Sequence, residues 1–273
     1  MKYVASDVIT APNGVAYYEF SIFHNHPIKA VFTTRNGGVS TDYYTSLNFG
    51  FSSGDEEEAV RENYRRLAEC LNTDLDHLVT AAQTHTTNIR VVTAEDIGMG
   101  VTHPRDFQDI DGLVTNVPDI GLITAHADCT PIQFYDPIKK VIGVAHSGWM
   151  GTLKNISRSL ISTMKSNYGC DPEDILVAIG PSLCQDCFEV DEDVAQMFLQ
   201  EDSSYEEFMY RKGIKSYIDL RRIIEQELLA EGIRPDHMEC HPVCTKCNPR
   251  LFFSHRNTGA KRGVMASAMI LQP

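Results

Sequence analysis

Three short segments carry the side chains best suited to chemistry: Gln83-Thr84-His85-Thr86, Ala125-His126-Ala127-Asp128-Cys129-Thr130-Pro131, and the run GVAHSGWMG from Gly143 to Gly151. Each has the same local logic. An apolar run ends, a soft or polar side chain appears, and small residues or Pro131 turn the backbone closely. Sites are commonly built at strand ends and on the loops after them. Two imidazoles, His85 and His146, with the Cys129 thiolate would hold Zn²⁺ and leave its fourth tetrahedral position open. That is the form of a catalytic site rather than a closed structural one. The same His₂Cys set also suits copper. The gaps between the three residues are too long to form a metal motif by spacing alone. A single strand-end histidine is ordinarily a satisfied core or surface residue, and a single buried cysteine ordinarily a small hydrophobe.

Neighbouring residues have two readings each. In an extended strand His126 would share a face with Asp128, and Cys129 would point to the other. Asp128 either orients a metal-bound imidazole or makes a turn. Without a metal, Cys129 and His146 would be a nucleophile–base dyad for amide hydrolysis. Cys184-Gln-Asp-Cys187 and Cys244-Thr-Lys-Cys247 carry the strongest spacing signal elsewhere. They suit a Cys₄ zinc site, with Cys240 or His241 as extras, or else packed, reduced thiols.

The elements that must position these residues are mixed. The chain has 273 residues, 42% of them hydrophobic, enough to bury a sizeable core. No Pro/Gly/Ser-rich linker divides it, so one α+β domain over 1–273 is expected. Apolar residues at helical spacing predict helices at Asp55–Leu71, Thr152–Tyr168, Asp191–Gln200 and Ile218–Glu231, with Gly169 as a stop. The acidic run Asp55–Glu58 reads as a solvated helix start. Strands are predicted at Ala30–Arg35, Leu78–Gln83, Ile89–Thr93, Gly112–Thr115, Gly121–Thr124, Ile132–Tyr135, Val141–His146, Ile175–Ile179 and Val264–Ile270. Residues 112–148 read as a β meander with turns at Asn116–Asp119 and Asp136–Lys139. No GxGxxG or Walker A sequence opens a helix.

The net charge of −13 argues against nucleic-acid or anionic-membrane partners, which want clustered Lys and Arg. It leaves room for a small basic pocket. The first 30 residues lack a basic segment followed by an unbroken apolar run, and no stretch approaches ~18 consecutive apolar residues. A cytoplasmic protein is expected. Eight cysteines are too few for a disulfide scaffold.

The segments TTRNGGVS (33–40), SLNFG (46–50), QTH (83–85), ADCTP (127–131), AHSGWMG (145–151), IGPSLC (179–184), FEV (188–190) and FFSHR (252–256) occur in that order. Together they resemble the YfiH/YlmD-type family, once called multicopper polyphenol oxidases (laccases) and later purine nucleoside phosphorylases. The resemblance runs from about residue 30 to 270. It implies layered mixed β-sheets covered by helices, and metal ligation by His85, Cys129 and His146, matched residue by residue. Catalysis is expected of those three, with Asp128 beside them as the carboxylate that would orient an imidazole. Zinc is the implied cofactor, with copper as the other choice. The implied substrates are adenosine, inosine or methylthioadenosine with phosphate, and the implied reactions are phosphorolysis and adenosine deamination, both open at this point. The metal would supply Lewis acidity to an oxygen nucleophile.

The resemblance places Arg35 and Asn48 near the pocket, although both residue types also make turns. The family ordinarily has Arg or Lys where this chain has Met150, so an anion contact would come from Arg35, Arg61 or Arg256. Tyr43, Tyr44 and Phe51 are candidates for stacking on a base, or simply packing. Relatives also suggest amide hydrolysis of the peptidoglycan-precursor editing type. A laccase-like copper oxidoreductase needs a type-1 copper plus a trinuclear cluster, hence many more histidines. His24-Asn25-His26 is the single His-x-His pair. The sequence specifies no oligomeric state.

Overall fold

Residues 2–273 are described by a computed structural model, and their strands sort into two large mixed sheets and one small one. In chain order the elements are β1 (Lys2–Tyr3), β2 (Ile9–Thr10), β3 (Ala16–Tyr18), β4 (Ile28–Thr33), α1 (Glu57–Leu71), β5 (Leu78–Thr80), β6 (Ile89–Val91), β7 (Gly112–Thr115), β8 (Gly121–His126), β9 (Thr130–Asp136), β10 (Val141–Ser147), α2 (Trp149–Leu153), α3 (Ile156–Tyr168), β11 (Leu176–Ile179), β12 (Glu189–Val190), α4 (Glu192–Glu201), β13 (Met209–Lys212), β14 (Lys215–Ile218), α5 (Leu220–Ala230), β15 (Met238–Cys240), α6 (His255–Thr258) and β16 (Met265–Leu271). The first sheet runs β1-β15-β11-β9-β10-β7-β6, the second β2-β3-β4-β16-β8-β5, the third β12-β14-β13. This is the expected α+β class of layered mixed sheets covered by helices.

Alternation along each strand sets the layers. On β10, Ile142 and Val144 pack against the second sheet's Phe32, Leu122 and Met269. Its other face presents Val141 and Ala145 to Ile156, Leu160 and Met164 of α3. On the second sheet, Val31, Ile123, Ala268 and Ile270 face Val60, Leu67 and Leu71 of α1. The order is therefore helix, sheet, sheet, helix. Both faces of each large sheet are covered, so their central strands are apolar almost throughout. Gly143 lets α3 approach, because a Cβ there would stand 2.9 Å from Leu160 Cδ2.

Two expectations are corrected. Residues 112–148 do not meander within one sheet: β7 lies in the first, β8 in the second, and β9 and β10 in the first again. β8 instead pairs with β5 and β16. The helix expected over Thr152–Tyr168 is two helices. Asn155 breaks it with a left-handed backbone (φ 54°), while its side chain accepts the Arg158 N–H at 2.8 Å. Gly169 does stop α3, at φ 66°. The short strands β1–β3, β12–β14 and β15 carry too few residues for a periodic signal and were not expected. Among the described residues no helix is long and apolar enough to cross a membrane.

The crossings between sheets position the site. The chain leaves the second sheet for the first twice, from β5 to β6 through residues 81–88 and from β8 to β9 through residues 127–129. His85 lies on one crossing and Cys129 on the other. β10 pairs antiparallel with β9, His146 opposite Pro131, which brings His146 to the same end. Asn155 fixes the α2–α3 angle just beyond it. Asn155→Gly keeps the left-handed backbone and loses only the cap, a cost of a few tenths of a kcal/mol. Asn155→Ala loses both, a cost of about 1–3 kcal/mol. Urea denaturation at unchanged slope should rank wild type, then Gly, then Ala; equal stability of the two variants would contradict the left-handed role.

Candidate metal centre and its cavity

One ligand atom from each of His85, Cys129 and His146 lies within 4.8 Å of the others. Cys129 Sγ is 3.9 Å from His85 Nε2, and the two imidazole centroids are 5.0 Å apart. His146 is buried and Cys129 partly so, while His85 is exposed. The set thus opens to solvent on the His85 side.

Asp111 assembles it. This fully buried carboxylate accepts His146 Nδ1–H at 2.7 Å, and the backbone N–H groups of Thr84, His85 and Thr86 at 3.0, 3.1 and 2.8 Å. The Thr86 hydroxyl donates a fifth bond at 3.0 Å. Burial alone would raise the carboxyl's pKa, but the His146 bond and the Thr86 and Thr84 amides outweigh it and hold the value down to about 2. The three successive amides hold His85 in a left-handed conformation, φ 66°. With Nδ1–H committed to Asp111, Nε2 of His146 faces the donor set, where it could ligate a metal after giving up its proton. Burial disfavours both charged forms of the His146–Cys129 pair. Their mutual attraction, with the Asp111 bond, still raises His146 and lowers Cys129, giving a thiolate beside an imidazolium.

Gly148 closes the back. A Cβ there would meet His85 Cδ2 at 2.7 Å and Cys129 Sγ at 3.2 Å. His126 is a spacer. Its Nδ1 meets the Cys129 carbonyl at 3.1 Å and its Nε2 the Thr124 hydroxyl at 2.8 Å, and burial and nearby His146 hold it neutral. The extended-strand reading of 126–129 does not hold, because β8 ends at His126 and Asp128 sits at φ 90°. Among the described residues Asp128 hydrogen-bonds to no imidazole. Its oxygens accept the Thr245 hydroxyl at 2.7 Å, the Ser254 hydroxyl at 3.0 Å and the Arg256 N–H at 2.8 Å. It staples the Cys129 turn to the C-terminal segment.

His85 and Cys129 form part of the wall of a cavity of about 420 Å³, with His146 buried behind them. Trp149, Phe188, His255, Arg256 and Arg262 form much of the rest. A larger recess of about 900 Å³ holds none of the three donors; it shares Arg262 and adds Arg105, Phe107 and Gln108. The candidate donors His85 and Cys129 border the smaller space.

The other expected contacts divide. Arg256 lines the cavity, its guanidinium 5.4 Å above the Phe188 ring and bonded to the Glu189 carbonyl at 2.7 Å. Arg35 and Arg61 line neither space. Arg35 bonds the Thr45 and Pro249 carbonyls at 2.9 and 3.1 Å, and Arg61 the Val101 carbonyl at 2.8 Å. Asn48 is fully buried and ties Ser53, Asp55, Gly50 and Val264 together. Tyr43 is exposed, Tyr44 bonds the Ser53 carbonyl at 2.6 Å, and Phe51 stacks on Tyr64 beside the larger recess. Met150 packs in the apolar cluster around α4 and α5. Sequence reasoning missed Asp111 and Arg262. Asp111 has the only available signal, an Asp immediately before the Gly112 strand. Its meaning depends on the antiparallel register that sets Ala145 opposite Gly112 and therefore His146 beside Asp111.

Comparison with known proteins agrees with this fold. The family described as multi-copper polyphenol oxidoreductase laccase matches residues 29–272. The chain is 35% identical to purine nucleoside phosphorylase YlmD of Bacillus subtilis over 246 residues, covering 89% of this chain and 88% of that one. It is 30% identical to adenosine deaminase RL5, from an unknown prokaryotic organism, over 86% of this chain and 91% of the other. The crystal structure of the Bacillus licheniformis hypothetical protein YfiH superposes with a TM-score of 0.88 at 33% identity, covering 97% of this chain and 99% of that one.

Two substitutions test the geometry. Asp111→Asn keeps the shape but turns an amide toward donors, so stability should fall by about 2–4 kcal/mol and zinc affinity by roughly 10–100-fold. Gly148→Ala should weaken zinc by at least about tenfold with less loss of stability, because the methyl displaces ligands rather than core. Competition with a chromogenic chelator measures both; unchanged zinc affinity in either variant would contradict the assembly described.

Proposed function

Given that the chain belongs to the multi-copper polyphenol oxidoreductase laccase family, we propose that it is a metal-dependent purine nucleoside phosphorylase that also deaminates adenosine. Adenosine, inosine and methylthioadenosine are its proposed nucleosides and inorganic phosphate its second substrate. The observation that carries this reading is the convergence of His85, Cys129 and His146, of which His85 and Cys129 line a cavity that also holds two arginines and two aromatic rings. The names of the relatives supply the substrate class.

The donor set fits zinc. Two imidazoles and a thiolate converge, and no fourth protein donor joins them among the described residues. Bound there, zinc would supply Lewis acidity. The same donors accept copper, but the only other convergent group among the described residues is four cysteines, too few imidazoles for a multicopper cluster.

The remaining steps fall to the chain's own residues. Arg256 and Arg262 neutralise the phosphate. Arg262 is suited to this because its Nε is buried without a partner. Trp149 and Phe188 cover the base and exclude water. In phosphorolysis a phosphate oxygen bonds to ribose C1′ as the bond to the purine nitrogen breaks, and the departing base takes up a proton. In deamination water adds at C6 and ammonia leaves. The cavity of about 420 Å³ lies within the ~300–1,000 Å³ of small-molecule sites.

One observation favours a second reading. The Cys129 thiol, held down by His146, is a ready nucleophile even without metal, as an amide hydrolase would need. The same experiment separates the two. Protein purified without added metal is analysed for zinc and copper, then assayed on the three nucleosides with and without phosphate, base release and ammonia being followed separately. Phosphate-dependent base release, lost in Cys129→Ala together with the metal of this centre alone, is expected. Full activity of metal-free protein would favour the dyad, and no turnover of any nucleoside would end the purine reading.

A further inference from the structure

Four cysteines outside this centre have no part in its chemistry. Cys184 and Cys187 bracket the short turn after β11, and Cys244 and Cys247 the turn after β15. A parallel bridge between Ser182 and Cys244 brings the two turns together. The four sulfurs lie within 4.8 Å of one another. Cys187 and Cys247 Sγ are 3.4 Å apart, and the Cys184 N–H donates to Cys244 Sγ at 3.3 Å.

We infer that Cys184, Cys187, Cys244 and Cys247 form a second, closed zinc site of four thiolates, structural rather than catalytic. Two C-x-x-C turns facing each other give four soft donors to one point, with no position left for water. Tetrahedral ligation at about 2.3 Å sets sulfurs about 3.8 Å apart, which the observed cluster brackets. Apolar packing does not explain the group, because Cys247 is exposed and Cys184 only partly buried. Two disulfides would require each pair to close to about 2.05 Å, and the sulfurs converge as a foursome instead.

The site's place explains what it does. Thr245, inside the second turn, donates to Asp128 Oδ1 at 2.7 Å, and the Leu183 N–H donates to the Asp128 carbonyl at 3.2 Å. Leu183 and Phe188 flank the first turn and line the catalytic cavity. Zinc here clips two loops 60 residues apart and holds the turn that presents Cys129. The assignment stands whether or not the cavity turns over nucleosides.

Full-length protein purified under reducing conditions tests it. Cys129→Ala should retain one zinc per chain, and X-ray absorption should show four sulfurs at about 2.3 Å. Replacing Cys187 and Cys247 together by Ser should remove that zinc and lower the melting temperature, leaving metal at the other centre. If either variant fails to fold, wild-type protein still decides: sulfur must outnumber nitrogen around its zinc. A shell richer in nitrogen, a zinc-free Cys129→Ala protein, or two disulfides found by mass under these conditions would overturn the assignment.

Discussion

A buried carboxylate with five donors holds the centre together. Asp111 would be costly in the interior without partners. It is satisfied by one ring, three amides and one hydroxyl, which come from β10 and from the turn carrying His85. The same charge that keeps Asp111 ionised fixes the His146 tautomer and the left-handed backbone of His85. Neither histidine could be aimed independently of the other. Cys129 completes the set from a separate turn, held by Asp128 from behind.

The donors stand where the chain changes sheets because such crossings leave the ladder. Backbone amides freed from strand pairing must find partners, and Asp111 uses those of 84–86. Small residues are needed where two crossings and a strand end meet, and Gly148 meets that need. Helix α2, starting at Trp149, then covers the cavity's flank. The packing order of helix, sheet, sheet and helix leaves this edge as the place where both sheets contribute side chains to one space.

Much of the architecture was legible because apolar runs mark strands covered on both faces, and because α1, α4 and α5 have regular apolar stripes. The α2–α3 break was not, since a left-handed Asn155 leaves the helical period almost intact. The three candidate donors were legible only through the order of eight short segments; their spacing alone is silent. Asp111 required a register that no local pattern encodes. Of the two readings of Asp128 its geometry matches the turn, with a φ of 90° just past the end of β8 at His126. Arg35 and Arg61 looked available as cations, yet carbonyl oxygens occupy their guanidinium groups. Arg262 comes from a segment with no motif of its own.

A donor set drawn from two inter-sheet crossings and a strand end has a kinetic meaning. The three donors meet only after the sheets have docked, so an early, half-paired chain would have no complete site to offer a metal. Ion binding would then leave the folding rate nearly untouched and slow unfolding instead. The lifetime of the native state, more than the speed of reaching it, would depend on occupancy.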